Sequence, residues 1–255
     1  MTAVAWVAGA AIDVSTVDAR ETGLRAGPAR TTLPREHTSE GRQLRRWLVQ
    51  VLVAEELVAA EAAARGLTAA DAPALADLAP DRAALLGLGS VAAAVLTRLP
   101  LARTVFVAVT ADVPVSDAAV GRFYDANPER FRVPERRVVR HALDGDPRDR
   151  PLRTLRRGEL TGPVEDAVFA AAEGTVAGPV ADPLGTHTVL VEEIRPARVR
   201  ELAEARAEIV EHLLAGARRR AFTAWLDRHT AEHVRLAPGF EHPGDPGQPD
   251  NTHKH

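Results

Sequence analysis

The strongest hydrophobic pattern runs through Leu44, Trp47, Leu48, Val51, Leu52, Glu55 and Val58. This is the i, i+3, i+4, i+7 spacing of one helical face, with Glu55 its only polar member. Ser39 opens this helix, and Gly66 stands where a helix ends in a left-handed residue. A Pro- and Ala-rich link over residues 68–80 leads to a second helix through Leu85, Leu88, Ala92 and Leu96, closed by Pro100. Residues 103–109 are β-branched and apolar, which predicts a strand or an extended connector. Ser116 caps a short helix carrying Val120, Phe123 and Tyr124. Far downstream, Leu202, Ala205, Ile209, Leu213, Phe222, Trp225 and Leu226 set one long helix over residues 200–233. At the other end, residues 4–7 read as a short strand and Gly9-Ala10 as a turn, with Ser15 or Thr16 capping a short helix. Residues 21–38 lack periodicity and read as loop. Order signals cease at Pro238, which predicts a disordered tail over residues 238–255.

Between the helical regions the period changes. Val138-Val139-Arg140-His141-Ala142-Leu143 and Gly185-Thr186-His187-Thr188-Val189-Leu190-Val191 read as strands, each carrying one histidine. Residues 144–157 form one short, charged, Pro-containing loop, followed by a short helix and a Gly-Pro turn. Residue type alone leaves each histidine as either a satisfied strand residue or half of a site.

The segment around Gly158, Glu165-Asp166-Ala167, Phe169, Gly174, Gly178-Pro179-Val180, Gly185 and His187, with Arg140-His141-Ala142-Leu143 upstream, resembles the rotamase domain of the parvulin peptidyl-prolyl isomerases. The resemblance implies that His141 and His187 face each other across a prolyl site as its catalytic pair. It also implies that Leu160, Val164, Phe169 and Thr186 line the substrate cup, and that the family's further helices and acidic or thiol residue are lost from the shortened 144–157 segment. The N-terminal strand and Gly turn resemble the opening of chaperones related to SurA, and residues 115–135 the helix that leads into the rotamase domain of many exported parvulins. The implied fold is α+β: a discontinuous helical chaperone-like domain with a small inserted parvulin-like α/β domain. Its expected parts are residues 1–131, completed by a long helix over 197–237, around a truncated rotamase domain at 132–196. The implied function is a peptidyl-prolyl cis-trans isomerase or foldase binding proline-containing or unfolded polypeptide clients. The alternatives are a chaperone or binding module without turnover, and a small-molecule isomerase or cyclase of a natural-product pathway. No cofactor or metal is implied, and a homodimer is left open.

Composition narrows this picture at a few points. A formal net charge of −3 exerts no general pull on nucleic acid or anionic membrane. Lys254 is the only lysine, and the excess of arginine and alanine reads as coding bias. The chain contains no cysteine, so thiol catalysis and disulfides are excluded. The N-terminus has no basic region of a secretory signal, and no segment approaches the roughly 20 apolar residues of a spanning helix. The expected location is therefore cytoplasmic. His229-Thr230-Ala231-Glu232-His233 matches a zinc-site spacing but has no plausible third ligand downstream. His253 and His255 read as tail residues. Gly87-Leu88-Gly89-Ser90-Val91-Ala92 echoes a dinucleotide fingerprint without a preceding strand, so a close helix–helix contact explains its glycines better.

Overall fold

A computed structural model describes residues 2–242. The chain divides into two compact units, one made of the chain up to Val115 and from His212 onward, the other of Ser116–Glu211. Along the sequence, the two parts of a discontinuous helical unit thus flank a mixed α+β insert.

In the first unit, β1 (Ala3–Val7) and β2 (Ala10–Asp13) form a hairpin around Ala8-Gly9. Helix α1 (Val14–Ala26) follows directly and runs well into the stretch that aperiodicity assigns to a loop. Its N-cap residue is Asp13, rather than Ser15 or Thr16. Helix α2 (Ser39–Arg65) is capped by Thr38, whose hydroxyl accepts from the Gly41 N–H, and ends on Gly66 at φ +64°. Its predicted face is the core: Leu48, Val51, Leu52 and Val58 are all buried. Glu55 survives on that face because Arg20 of α1 grips both carboxylate oxygens at 2.8 and 2.7 Å. Arg98 approaches more loosely at 3.6 Å.

The predicted second helix is broken. It forms α4 (Arg82–Leu86) and α5 (Ser90–Arg98), preceded by the single turn α3 (Leu75–Leu78). Gly87 closes α4, and Gly89 at φ +77° precedes α5. A Cβ on Gly89 would meet nothing within 4 Å, so these glycines serve chain direction, and the close helix contact expected of them is not made. Residues 103–109 are helical rather than extended. Pro100 opens α6 (Pro100–Val109), and Ala102, Val105 and Phe106 are buried at i, i+3, i+4. Burial of that face outweighs the β preference of the branched residues.

The long helix α9 (Leu202–His233) brings Phe222, Trp225 and Leu226 into the same core, with the Phe222 ring 5.1 Å from Phe106. The chain then forms β9 (Val234–Leu236), which pairs antiparallel with β1 to complete a three-stranded sheet ordered β2-β1-β9. Order continues past Pro238, where a tail was expected: Arg46 donates to the Gly239 carbonyl at 3.0 Å, and Phe240 packs on the core. The rest of that tail, with His253 and His255, lies outside the described residues. Among those described, no single helix is long and apolar enough to cross a membrane; α5 and α6 together reach that composition but are bent by 117°.

The insert begins earlier than the sequence suggested. Helix α7 (Asp117–Ala126), capped by Ser116, belongs to it, as does the start of α9. Val120, Phe131, Ala205 and Ile209 are buried in this unit, where Arg206 of α9 pairs with Asp117 and Glu208 with Arg130. Tyr124 stacks on Phe131 at 4.9 Å and donates to the Arg200 carbonyl at 2.7 Å. In the same unit, β3 (Arg132–Val133) and β8 (Arg198–Val199) pair as a short two-stranded ribbon.

The main sheet of the insert has the order β5-β4-β7-β6, antiparallel throughout: β4 (Arg136–Leu143), β5 (Leu152–Arg156), β6 (Val176–Asp182) and β7 (Gly185–Arg195). The segment expected to be only a loop after β4 therefore contains a strand. Helix α8 (Pro163–Ala170) supplies Val168 and Phe169 to a core with Val139, Ala177, Val189 and Val191.

Replacing Arg20 by Leu leaves the Glu55 carboxylate half-stranded on an apolar face. We expect urea unfolding to report a loss of about 1–3 kcal/mol. The double change Arg20→Leu/Glu55→Leu should recover most of it.

Candidate functional site

Antiparallel pairing of β4 with β7 sets Leu143 opposite His187 and His141 opposite Val189. Side chains alternate along a strand, so His141 and Leu143 share a face, and both histidines point to the face that carries α8. His141 Nε2 lies 2.9 Å from His187 Nδ1, and the rings meet edge to edge with centroids 5.0 Å apart and planes 9° from parallel. The structure thus brings together the two residues whose partnership the resemblance implied.

A third residue joins them that the sequence reading missed. Asp182 Oδ1 sits 2.9 Å from His187 Nε2, a close approach not aligned as a strong hydrogen bond. Asp182 begins the tight turn Asp182-Pro183-Leu184-Gly185 between β6 and β7 and accepts the Leu184 N–H at 2.7 Å. That bond, above all, holds its carboxyl below the usual carboxylate range, with the His187 ring contributing. An Asp-Pro-x-Gly run between two strand patterns is a turn signature, so the residue was findable as a turn former beside the histidine strand. A carboxylate at Nε2 favours the His187 tautomer protonated there, leaving Nδ1 to accept from His141 Nε2–H. Burial pushes the His141 imidazole below its ordinary value, aided by the neighbouring His187 and by Arg153 of β5; Asp182 opposes them. The result is a mutually bonded imidazole pair fixed on one sheet face, suited to shaping a polar wall.

Two backbone devices hold this corner. Gly178 adopts φ +100°, and a Cβ there would stand 2.6 Å from the His187 carbonyl oxygen. Only glycine lets β6 come so close to the His187 main chain. Asp144 accepts the Thr186 N–H on Oδ1 at 2.9 Å, while its own N–H donates to the Thr186 carbonyl at 2.8 Å.

The other expected pocket residues take different places in the insert. Phe169 is only 6% exposed and belongs to the α8 core; Arg157 covers its ring at 4.5 Å and Arg137 approaches at 5.3 Å. The Arg137 guanidinium also donates to the carbonyls of Phe169 and Ala171, tying the end of α8 to β4. Val164 packs on the same core. Leu160 is half-buried in the connection before α8. Thr186 neighbours His187 in β7, so alternation turns its side chain to the opposite face of the sheet. Of the expected cup residues, Val164 and Phe169 thus pack together in the core beneath the histidine face, and Thr186 turns to the other side of the sheet. In the other unit, the zinc-like pair at the end of α9 has its own contacts. His229 Nδ1 lies 2.9 Å from the Trp225 carbonyl and its ring packs on Trp225, while His233 Nε2 is 3.8 Å from Glu232.

Against family models, residues 144–207 match the PPIC-type PPIase domain, and residues 3–40 match a family of unknown function (DUF7158). The first span contains His187, Asp182 and α8, and begins just after the strand that carries His141. No curated protein matches. Among solved structures, the chain is similar to two from a study of PEB4 and Cj1289, SurA-like chaperones of Campylobacter jejuni. One is 18% identical, covering 91% of this chain and 96% of that chain at a TM-score of 0.40. The other is 11% identical, covering 93% and 100% at a TM-score of 0.43.

Two outcomes test this geometry. Gly178→Ala should destabilise by about 1–3 kcal/mol in urea unfolding, because the new Cβ must both hold a positive φ and displace the His187 main chain. The pH dependence follows from the lowered His141 value. The unfolded imidazole takes a proton near pH 6.5 and the folded one only below that. The contribution is therefore whole above about pH 6.5 and declines as pH falls through the folded value. Melting temperature should drop between about pH 7 and 5, with a shallower drop in His141→Gln; an equal slope in both proteins places the effect elsewhere.

Proposed function

We propose that this chain, whose residues 144–207 carry a PPIC-type PPIase domain, is a parvulin-like foldase that binds proline-containing polypeptide segments and turns over Xaa-Pro bonds at the His141–His187 face. The observation that carries this reading is the 2.9 Å contact between two imidazoles 46 positions apart, on a sheet face supported by α8.

The chemistry asks little of the side chains. The barrier of about 18–20 kcal/mol comes from amide resonance, and each tenfold acceleration needs about 1.4 kcal/mol. Removing the prolyl amide from water and favouring its twisted geometry supplies such increments without a proton transfer. A mutually bonded pair such as His141 and His187 suits that task, since it lines the site with fixed polar edges and no proton transfer is required of it.

One observation favours a second reading, in which the insert binds polypeptide without turnover. Phe169 and Val164 are occupied in the insert's own core, so the apolar cup that grips a prolyl ring in the resembling family is not preformed.

Exchange spectroscopy on a short Xaa-Pro peptide separates the two. We expect cis/trans exchange above background, reduced by about tenfold or more in His141→Ala/His187→Ala. No acceleration at high protein concentration, with aggregation suppression unaffected by either histidine change, would establish the second reading.

A further inference from the structure

The sheet face turned away from α8 carries a row of arginines. Register places Arg156 of β5 directly opposite Arg136 of β4, and Arg136 directly opposite Arg195 of β7. The three are neighbours across three adjacent strands. They border a cleft of about 670 Å³ lined with Thr154, Arg157, Gly158 and Glu159 among others. Like charges directly opposed on a sheet are destabilising, so such a row calls for counter-charge.

The protein supplies that counter-charge only in part. Glu193 takes Arg195 through two hydrogen bonds of 2.8 and 2.9 Å, and Glu135 takes Arg157 at 3.1 Å. Glu159 accepts the main-chain N–H of Arg156 at 2.9 Å. Among the described residues, no carboxylate pairs with the guanidinium of Arg136 or of Arg156. The Arg136 Nε is moreover buried without a hydrogen-bond partner, so the fold leaves this guanidinium incompletely satisfied.

We infer that this cleft is a binding site for an acidic polypeptide segment, whose carboxylates are received by Arg136 and Arg156 with Arg195 beside them. A guanidinium matches a carboxylate with two parallel N–H donors, which a point charge cannot do. The dimensions fit a chain better than a single small anion. Three neighbouring strands set the row over about 9–10 Å, and acidic side chains at i and i+2 of an extended chain recur at about 6.5–7 Å. The inference rests on the reading that polypeptide is this protein's ligand, and adds a docking site on the sheet face opposite the histidines.

Fluorescence anisotropy of the full chain with a labelled, proline-free peptide bearing Asp at alternate positions tests it. Arg156 is exposed, so Arg156→Gln carries little risk to folding; we expect it to weaken binding by roughly three- to tenfold. Arg136→Gln/Arg156→Gln should weaken it by more than about tenfold, and an Asn-substituted peptide should fail to compete. Equal binding by Arg156→Gln, or by the Asn peptide, overturns the inference. So does binding of inorganic phosphate without binding of the acidic peptide, which would make this a small-anion site. Because the peptide lacks proline, its binding should survive His141→Ala/His187→Ala. Retained peptide binding with no isomerase activity would sink the turnover reading alone, and lost peptide binding with activity intact would sink this one alone.

Discussion

The insert depends on the register between β4 and β7. A shift of one residue would turn His141 to the opposite face and leave His187 without a partner, because side chains reverse face at every step along a strand. Several features fix that register. Asp144 brackets Thr186 with two main-chain contacts at one end of the pair, and Arg137 ties β4 to the last turn of α8 in its lower half. Between them Val139, Val189 and Val191 are buried against Val168 and Phe169, so sliding the strands would also expose the core. The imidazole contact is a consequence of these constraints more than their cause.

A similar closure organises the helical unit, where the two ends of the chain meet in one sheet. β9 adds to β1, and Arg235 lies over the Trp6 ring at 3.5 Å. Neither strand is long enough to be stable alone; each is held by packing against α2 and by the residues Phe222, Trp225 and Leu226 of α9. Inside the insert, the short strand pair β3 with β8 joins the segments that flank the main sheet.

Arginine does different work at different places. Arg20 neutralises a carboxylate that the α2 face would otherwise reject, and Arg137 acts as a main-chain clamp with its charge shared by Glu135 and the Phe169 ring. Arg136 and Arg156 are left facing a cleft. Composition alone reads as coding bias and cannot tell these roles apart, since each is set by which carboxylate or carbonyl the fold brings within about 3 Å.

Taken alone, the sequence determined the long helices, the C-cap of α2 at Gly66, the N-cap of the short α7 at Ser116, the strand character around both histidines, and the pairing of those histidines through family resemblance. These are local properties: hydrophobic period, capping chemistry and turn residues act within a few positions of one another. The helical state of residues 103–109, the strand β9, the membership of α7 in the insert and the fate of Phe169 were decided only by tertiary structure. In each case burial against residues distant in sequence outweighed local preference. Asp182 lies between the two classes: its turn was legible in Asp-Pro-x-Gly, but its place beside His187 required the hairpin to fold back. The facing arginine row is likewise a product of strand register, which no linear pattern displays.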